Sequence, residues 1–394
     1  MTASVTAGLA MLAGAAPAIG AASAAGRGHA AGAARAAHPA RTARRDVGGR
    51  RLAGRGIVVN YPSRHSRRLP AVPASAYVIA NAGTGKVLAA RDPHGLFPPA
   101  STLKVLTAIT TIPLLNPHAS VVATRLAASV EPNVVGLVPG HRYKVADLLR
   151  ALLMISANDA AVSLVQATGS FANGIALMNA QARHLQAYDV VARQPNGLPA
   201  RGQVVSAYDL ALIARQALAM PAFMRYDSTL AARFPVTKRR RVTLVNQNAL
   251  LTGYRGGIGG KIGWTVRAEA TYIGMARRHG TTLIVTILHC TPLMEITSAE
   301  RLLNWGFAMA GKVRAVGTLV PPLAATAARH SSRTQSGKAQ RGSAGSAAAQ
   351  VKNARSPDPT LALGAGVTAA LCVTMVGGLT WRRRRASPTG NSPG

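Results

Sequence analysis

Apolar and polar positions follow two periods in the middle of the chain, residues 71–312. Runs of strand-forming residues at Ala76-Tyr77-Val78-Ile79-Ala80 and Lys86-Val87-Leu88-Ala89-Ala90 flank Asn81-Ala82-Gly83-Thr84-Gly85, which predicts a β-hairpin. Further on, Val145, Leu148, Leu149, Leu152 and Leu153 recur at i, i+3, i+4, i+7 and i+8, the spacing of a helix buried along one face. Helices are also expected after Pro98-Pro99, over 160–166 and over 207–220. Strands return at 260–266, 271–277 and 282–288, and a helix over 298–310 closes the region. Lys238-Arg239-Arg240-Arg241 reads as a solvated hairpin tip. Strands at both ends with helices between them imply a sheet assembled from distant segments, in a mixed α/β (α+β) domain.

The flanks lack these periods. Residues 1–26 hold a small, apolar run, Ala7 to Ile19, followed by Ala21-Ala22-Ser23-Ala24, which suits a signal peptide although no basic residue precedes it. Residues 27–70 read as a basic disordered arm and 313–359 as a flexible linker rich in Gly, Ser and Ala. The span 360–381 has no charge from Leu361 to Trp381, enough for a transmembrane helix, and Arg382-Arg383-Arg384-Arg385 opens a basic cytoplasmic tail, 382–394. Together these predict a single-pass protein of the cell membrane whose folded domain, 71–312, lies outside the cytoplasm.

Charge and cysteine narrow the classes. The formal net charge is +34, but the basic clusters lie in the arm and linker, without zinc-finger spacing, stacking aromatics or a recognition helix, so no nucleic-acid partner is expected. Anionic lipids or anionic wall polymers suit such arms better. Cys290 and Cys372 fall in a strand and in the apolar span, which leaves no disulfide framework. With no His-Glu-x-x-His or Cys-x-x-Cys, and with His94, His118, His141, His184 and His279 scattered, no metal and no cofactor is expected. His289 reads as a strand-end residue.

The candidate chemistry begins at Pro98-Pro99-Ala100-Ser101-Thr102-Leu103-Lys104. Three residues are about one helical turn, so the Ser101 hydroxyl and the Lys104 amine share a face and can share a hydrogen bond. An amine whose pKa is pulled toward neutrality can take the serine proton; a serine cap followed by a solvated lysine is the competing reading. Ser156-Ala157-Asn158 follows the amphipathic helix, and Lys261-Ile262-Gly263-Trp264-Thr265 follows a glycine-rich run.

Ser-x-x-Lys, then Ser-x-Asn, then a Lys-x-Gly strand is the ordered signature of the penicillin-recognising serine enzymes. From Tyr77 to about Cys290 the chain resembles the D-alanyl-D-alanine carboxypeptidases of the S11 peptidase family, low-molecular-weight penicillin-binding proteins. Gly85-Lys86-Val87-Leu88, Asp147-Leu148-Leu149, Leu177-Met178-Asn179, Asn196-Gly197-Leu198, Ser206-Ala207-Tyr208-Asp209-Leu210 and Asn246-Gln247-Asn248-Ala249-Leu250-Leu251 extend the likeness. The resemblance implies a β-lactamase/transpeptidase-like fold, an antiparallel sheet flanked by helices with an all-helical lobe. It also implies a substrate, the peptidoglycan stem peptide, and covalent inhibition by β-lactams.

The implied roles are as follows. Ser101 attacks the penultimate D-alanine carbonyl with Lys104 as base, and Ser156 relays a proton to the leaving amine. Asn158 holds Lys104 and a substrate amide. Lys261 depresses the Lys104 pKa and attracts the substrate carboxylate, while Gly263, Trp264 and Thr265 line the substrate strand. The backbone N–H groups of Ser101 and Trp264 form the oxyanion site. One position departs from the family, which usually has threonine where Ile262 stands; Thr265, Arg267 or Arg233 are candidate substitutes. A serine β-lactamase is one alternative, with Glu300 to Asn304 its only Glu-x-x-x-Asn, placed after the Lys261 strand. A catalytically weak wall-binding module is another.

Overall fold

The computed structural model describes residues 47–324. The segments 1–26, 325–359, 360–381 and 382–394 therefore lie outside the described residues, as does the arm before Val47. The centre is a seven-stranded antiparallel sheet. Its strands are β1 (Ile57–Val59), β2 (Ala74–Asn81), β3 (Lys86–Arg91), β8 (Gly257–Thr265), β9 (Glu269–Arg278), β10 (Thr281–Cys290) and β11 (Gly317–Thr318). The order is β1-β3-β2-β10-β9-β8, with β11 also on β3. The pairing of β2 with β10, Val78 opposite Thr286, joins the two ends of the domain. β8 is left as an edge.

Between β3 and β8 the chain is mostly helical: α1 (Lys104–Thr111), α2 (Arg125–Ala128), α3 (Val145–Met154), α4 (Asn158–Gln166), α5 (Phe171–His184), α6 (Ala207–Leu218), α7 (Pro221–Asp227) and α8 (Leu250–Gly253). Two small hairpins complete this lobe, β4 (Ser120–Val122) with β5 (Arg142–Lys144), and β6 (Ala231–Pro235) with β7 (Arg241–Val245). The long helix α9 (Glu295–Met309) follows β10.

Two cores result. One sheet face packs Ala76, Val78, Ile284 and Leu288 against Leu103, Leu106 and the buried sides of α3 and α6. The other packs Tyr77, Ile79, Tyr272 and Val285 against Leu302, Leu303 and Trp305 of α9. Alternate strand residues serve opposite cores, which is why the predicted strand runs carry almost no polar face. No single helix among the described residues is long and apolar enough to cross a membrane; the apolar pair α4 and α5 passes only when joined across a bend of 93°.

The predicted elements stand with shifted ends, and two boundaries are corrected. Residues 47–70 were expected to belong to the disordered arm, yet Arg50–Ala53 form a 3-10 turn and β1 pairs with β3. Leu52 is fully buried, the Trp305 indole donates to the Arg67 carbonyl at 2.9 Å, and Arg68 stacks on Tyr61. A few apolar residues among many arginines anchor this stretch, too few for a periodic signal. Likewise 313–324 is not linker: Val316 and Leu319 are buried, and Gly317 pairs with Val87. The tip at Lys238, Arg239 and Arg240 is exposed between β6 and β7, as expected.

Candidate active site

Ser101 lies in a 3-10 turn, Ala100–Leu103, that runs directly into α1. The turn is pinned from below. The Pro99 carbonyl accepts the Thr102 hydroxyl at 2.6 Å and the Thr271 hydroxyl of β9 at 2.9 Å, and Ala100 is held at φ +46. Strain of this kind, about 1–3 kcal/mol per residue, is tolerated where the surroundings over-determine the conformation.

One turn on, Lys104 is completely buried. Its Nζ lies 2.9 Å from Ser101 Oγ, 2.7 Å from Asn158 Oδ1 and 2.7 Å from the Asn196 carbonyl. Burial, and next the charge of Lys261, push its pKa well below the ordinary lysine value, against a weaker opposing pull from Asp159. A neutral amine has two N–H donors and one lone pair. Asn158 Oδ1 and the Asn196 carbonyl take the two donors, so the lone pair faces the Ser101 hydroxyl, and that hydroxyl donates.

The second wall is the turn between α3 and α4. Ser156 has φ +63, and its Oγ is buried without a hydrogen-bond partner in the described residues. Asn158 accepts from Lys104 at Oδ1 and donates from Nδ2 to the Glu131 carbonyl at 2.8 Å. Asp159 next to it accepts from the backbone N–H of Val135, Gly136 and Leu137 at 2.9–3.1 Å. One carboxylate thereby ties the loop carrying Pro132 and Asn133 to the start of α4, and those two residues line the cleft.

The third wall is the edge strand β8. A Cβ on Gly263 would sit 2.7 Å from the Ser101 nitrogen, so only glycine lets the strand pass this close. Lys261 is 2% exposed and donates from Nζ to the Ile262 carbonyl at 2.8 Å. Burial lowers its pKa to about 7, with Asp227 pulling upward. Asp227, at the end of α7, is itself raised to about 7 by burial, opposed by the Gly260 N–H that its Oδ2 accepts at 2.7 Å and by Lys261.

The three walls enclose a cleft of about 320 Å3. Ser101, Ser156, Asn158, Gly263, Trp264 and Thr265 line it together with Gly197, Gln247, Ile262 and Glu295. The set drawn from three distant motifs thus converges, with Lys104 and Lys261 just beneath the surface.

A family model for the D-alanyl-D-alanine carboxypeptidases of peptidase family S11 matches residues 63–291. The chain belongs to the S11 D-alanyl-D-alanine carboxypeptidases. D-alanyl-D-alanine carboxypeptidase DacB2 of Mycobacterium tuberculosis is 37% identical over 249 residues, covering 61% of this chain and 84% of the relative. DacF of Bacillus subtilis is 26% identical over 241 residues, 59% of this chain and 62% of that longer protein. Among solved structures, a D-alanyl-D-alanine carboxypeptidase of M. tuberculosis superposes with TM-score 0.63 at 36% identity, over 66% of this chain and 99% of the other. A mutant of the Streptomyces K15 DD-transpeptidase gives 0.58 at 28% identity, over 61% and 99%.

Within this S11 carboxypeptidase site, Ile262 is half-buried and packs toward the α9 core. Of its candidate substitutes, Arg267 and Arg233 are absent from the cleft lining, and the Thr265 hydroxyl oxygen accepts from the Ala268 N–H at 3.0 Å. Glu300 and Asn304 sit on α9 away from the cleft, Asn304 accepting from the Tyr254 hydroxyl. Sequence reasoning passed over the Asn196 carbonyl, Asp227 and Glu295. A backbone acceptor leaves no residue-type signal, and single carboxylates far along the chain have no spacing to betray them. His94, Asp189 and Asp209, which bring ligand atoms within 4.8 Å of one another, act as an anchor: His94 bonds Asp189 at 2.8 Å and the Val47 carbonyl at 3.1 Å.

Proposed function

We propose that Ser101 is the acylating nucleophile of a serine-type D-Ala-D-Ala carboxypeptidase acting on peptidoglycan stem peptides. The observation that carries this is the buried Lys104 amine, held by two acceptors so that its lone pair meets the Ser101 hydroxyl. Ser101 Oγ forms a bond to the penultimate D-alanine carbonyl carbon while its proton passes to Lys104 Nζ. The C–N bond then breaks, the proton returns through Ser156 to the leaving amine, and D-alanine departs. Water attacks the ester, Lys104 takes its proton, and Ser101 is regenerated.

Lys261, positive beside the strand edge, attracts the terminal carboxylate and keeps Lys104 neutral. The Ser101 and Trp264 N–H groups receive the oxyanion. Gly263 and Thr265 lie along the substrate strand, and Asn158 positions Lys104. β-Lactams acylate Ser101 by the same route. Release of D-alanine from a pentapeptide, with loss in Ser101→Ala, tests the assignment; equal release by both proteins refutes it.

The proposal includes a tether. The uncharged run 361–381 followed by four arginines supports a single membrane span with the catalytic domain outside the cytoplasm, and the basic flanks suit anionic lipids or wall polymers. Protease protection of the tail in intact cells, with digestion of the domain, is the expected result.

A further inference from the structure

A second cavity, of about 500 Å3 against about 320 Å3 for the catalytic cleft, opens at the other end of the sheet. The cleft sits at the β8–β9 turn, beside Trp264 and Thr265, and the second cavity at the β9–β10 turn, beside Arg278 and Thr281. Strand β9, Glu269–Arg278, separates the two turns, a length of about 30 Å at ~3.4 Å per residue. Arg67, Arg255, Arg278 and His279 line this cavity together with Asn304 and Phe307 of α9, and no acidic side chain joins them.

Three guanidinium groups around one cavity repel one another, and the fold accounts for only one of them. Arg278 donates from Nε to the Arg255 carbonyl at 2.9 Å and from Nη1 to Asn304 Oδ1 at 3.2 Å. Its guanidinium lies 4.4 Å from the Tyr254 ring centre and 4.8 Å from that of Phe307. These contacts fix the fork in place and leave the rest of its five N–H groups without a partner among the described residues. Arg67 and Arg255 are anchored through their backbones alone: the Trp305 indole donates to the Arg67 carbonyl and Arg278 to that of Arg255. Their side chains are exposed and form no ion pair among the described residues, and neither does Glu300, one turn before Asn304 on α9.

Unpaired guanidinium forks match phosphate oxygens in geometry and charge, and a fork already held by its neighbours loses little freedom on binding. A cavity of this volume holds far more than one phosphate, and its cations are spread over β9, α9 and the segment before β2, so successive phosphates on one chain use it best. A lipid surface fits less well. Membrane-seeking patches present protruding apolar side chains, whereas Phe307 is half-buried and the most exposed large apolar residues, Leu293 and Val266, lie outside this lining.

We propose that this cavity binds a polyol-phosphate chain, an anionic polymer of the wall-polymer class, through successive phosphodiester groups on Arg67, Arg255 and Arg278. The site is separate from the catalytic cleft and stands whether or not Ser101 is the nucleophile.

Calorimetric titration of the full-length chain, in neutral detergent micelles, with a short oligomer of glycerol phosphate tests this. Physiological ionic strength screens the exposed basic arms. Arg67→Gln/Arg255→Gln should bind the oligomer about tenfold more weakly or worse. Because those two side chains hold nothing in the fold, the thermal midpoint without oligomer should stay at the wild-type value. Arg239→Gln/Arg240→Gln removes the same charge from the exposed β6–β7 tip and should bind like wild type. Equal weakening in both variants would reduce the effect to net charge and overturn the site. So would unchanged binding by Arg67→Gln/Arg255→Gln, or no binding by wild type. Doping the micelles with phosphatidylglycerol should leave the difference between wild type and Arg67→Gln/Arg255→Gln intact; its disappearance would mean that lipid headgroups fill the cavity, which overturns the polymer site.

Discussion

The Asn196 carbonyl lies 2.7 Å from Lys104 Nζ, and the residue after it, Gly197, lies against the backbone just before the nucleophile. A Cβ on Gly197 would sit 1.8 Å from the Ala100 carbonyl oxygen, and Gly197 has φ +84. One short segment thus fixes both the base and the turn that carries Ser101.

Gly197→Ala should therefore injure chemistry and stability together. The left-handed conformation adds about 1 kcal/mol of strain and the backbone clash more, so a loss of about 2–4 kcal/mol is expected. Penicillin acylation should slow by a larger factor than for a control cavity variant of equal stability. Stopped-flow acylation and thermal denaturation together check this.

Lys104 links stability to pH. Its folded pKa lies well below the ordinary value, so between that pKa and about 10.4 the unfolded chain binds a proton the folded chain lacks. Stability then rises with pH across that window. Lys104→Met should flatten the slope and raise stability at neutral pH, while acylation drops by about a hundredfold or more. Denaturation midpoints at several pH values give the slope.

Asp227 tunes Lys261 from the far side of β8. Above about pH 7 its carboxylate supports the Lys261 cation. Asp227→Asn keeps an acceptor for the Gly260 N–H but removes the charge, so the Lys261 pKa falls and KM for a carboxylate-ended peptide should rise at pH 8. The sign for stability is opposite. A carboxyl raised from 3.8 to about 7 costs stability progressively as pH rises through that interval, so the variant should be the more stable protein at pH 8. A pH profile of KM beside denaturation at pH 5 and 8 separates the two effects.

Ile262→Thr restores a hydroxyl at the strand edge. One hydrogen bond to a charged group contributes about 1.5–3 kcal/mol, so kcat/KM on a pentapeptide should rise about tenfold or more, with about 1 kcal/mol lost from packing. An unchanged kcat/KM would mean that the carboxylate is held entirely elsewhere.

Much of this was legible in the chain. The helix at Val145–Met154 and the β2–β3 hairpin declare themselves by period, whereas Ser101, Lys104, Ser156, Asn158 and Lys261 stand out only through the resemblance to an ordered family signature. What stayed hidden depends on tertiary placement. β1 and β11 are too short to build a period and exist because β3 offers them an edge. The clamp made by Asp159 uses backbone donors that no motif records. Asp227 acquires meaning only from the strand it lies beside.

The central claim is that Ser101 carries the acyl group. Mass spectrometry of the purified folded domain after brief incubation with penicillin should show one adduct, mapped by peptide digestion to Ser101 and absent from Ser101→Ala. An adduct of the same yield in Ser101→Ala, or one mapped to another residue, would contradict it.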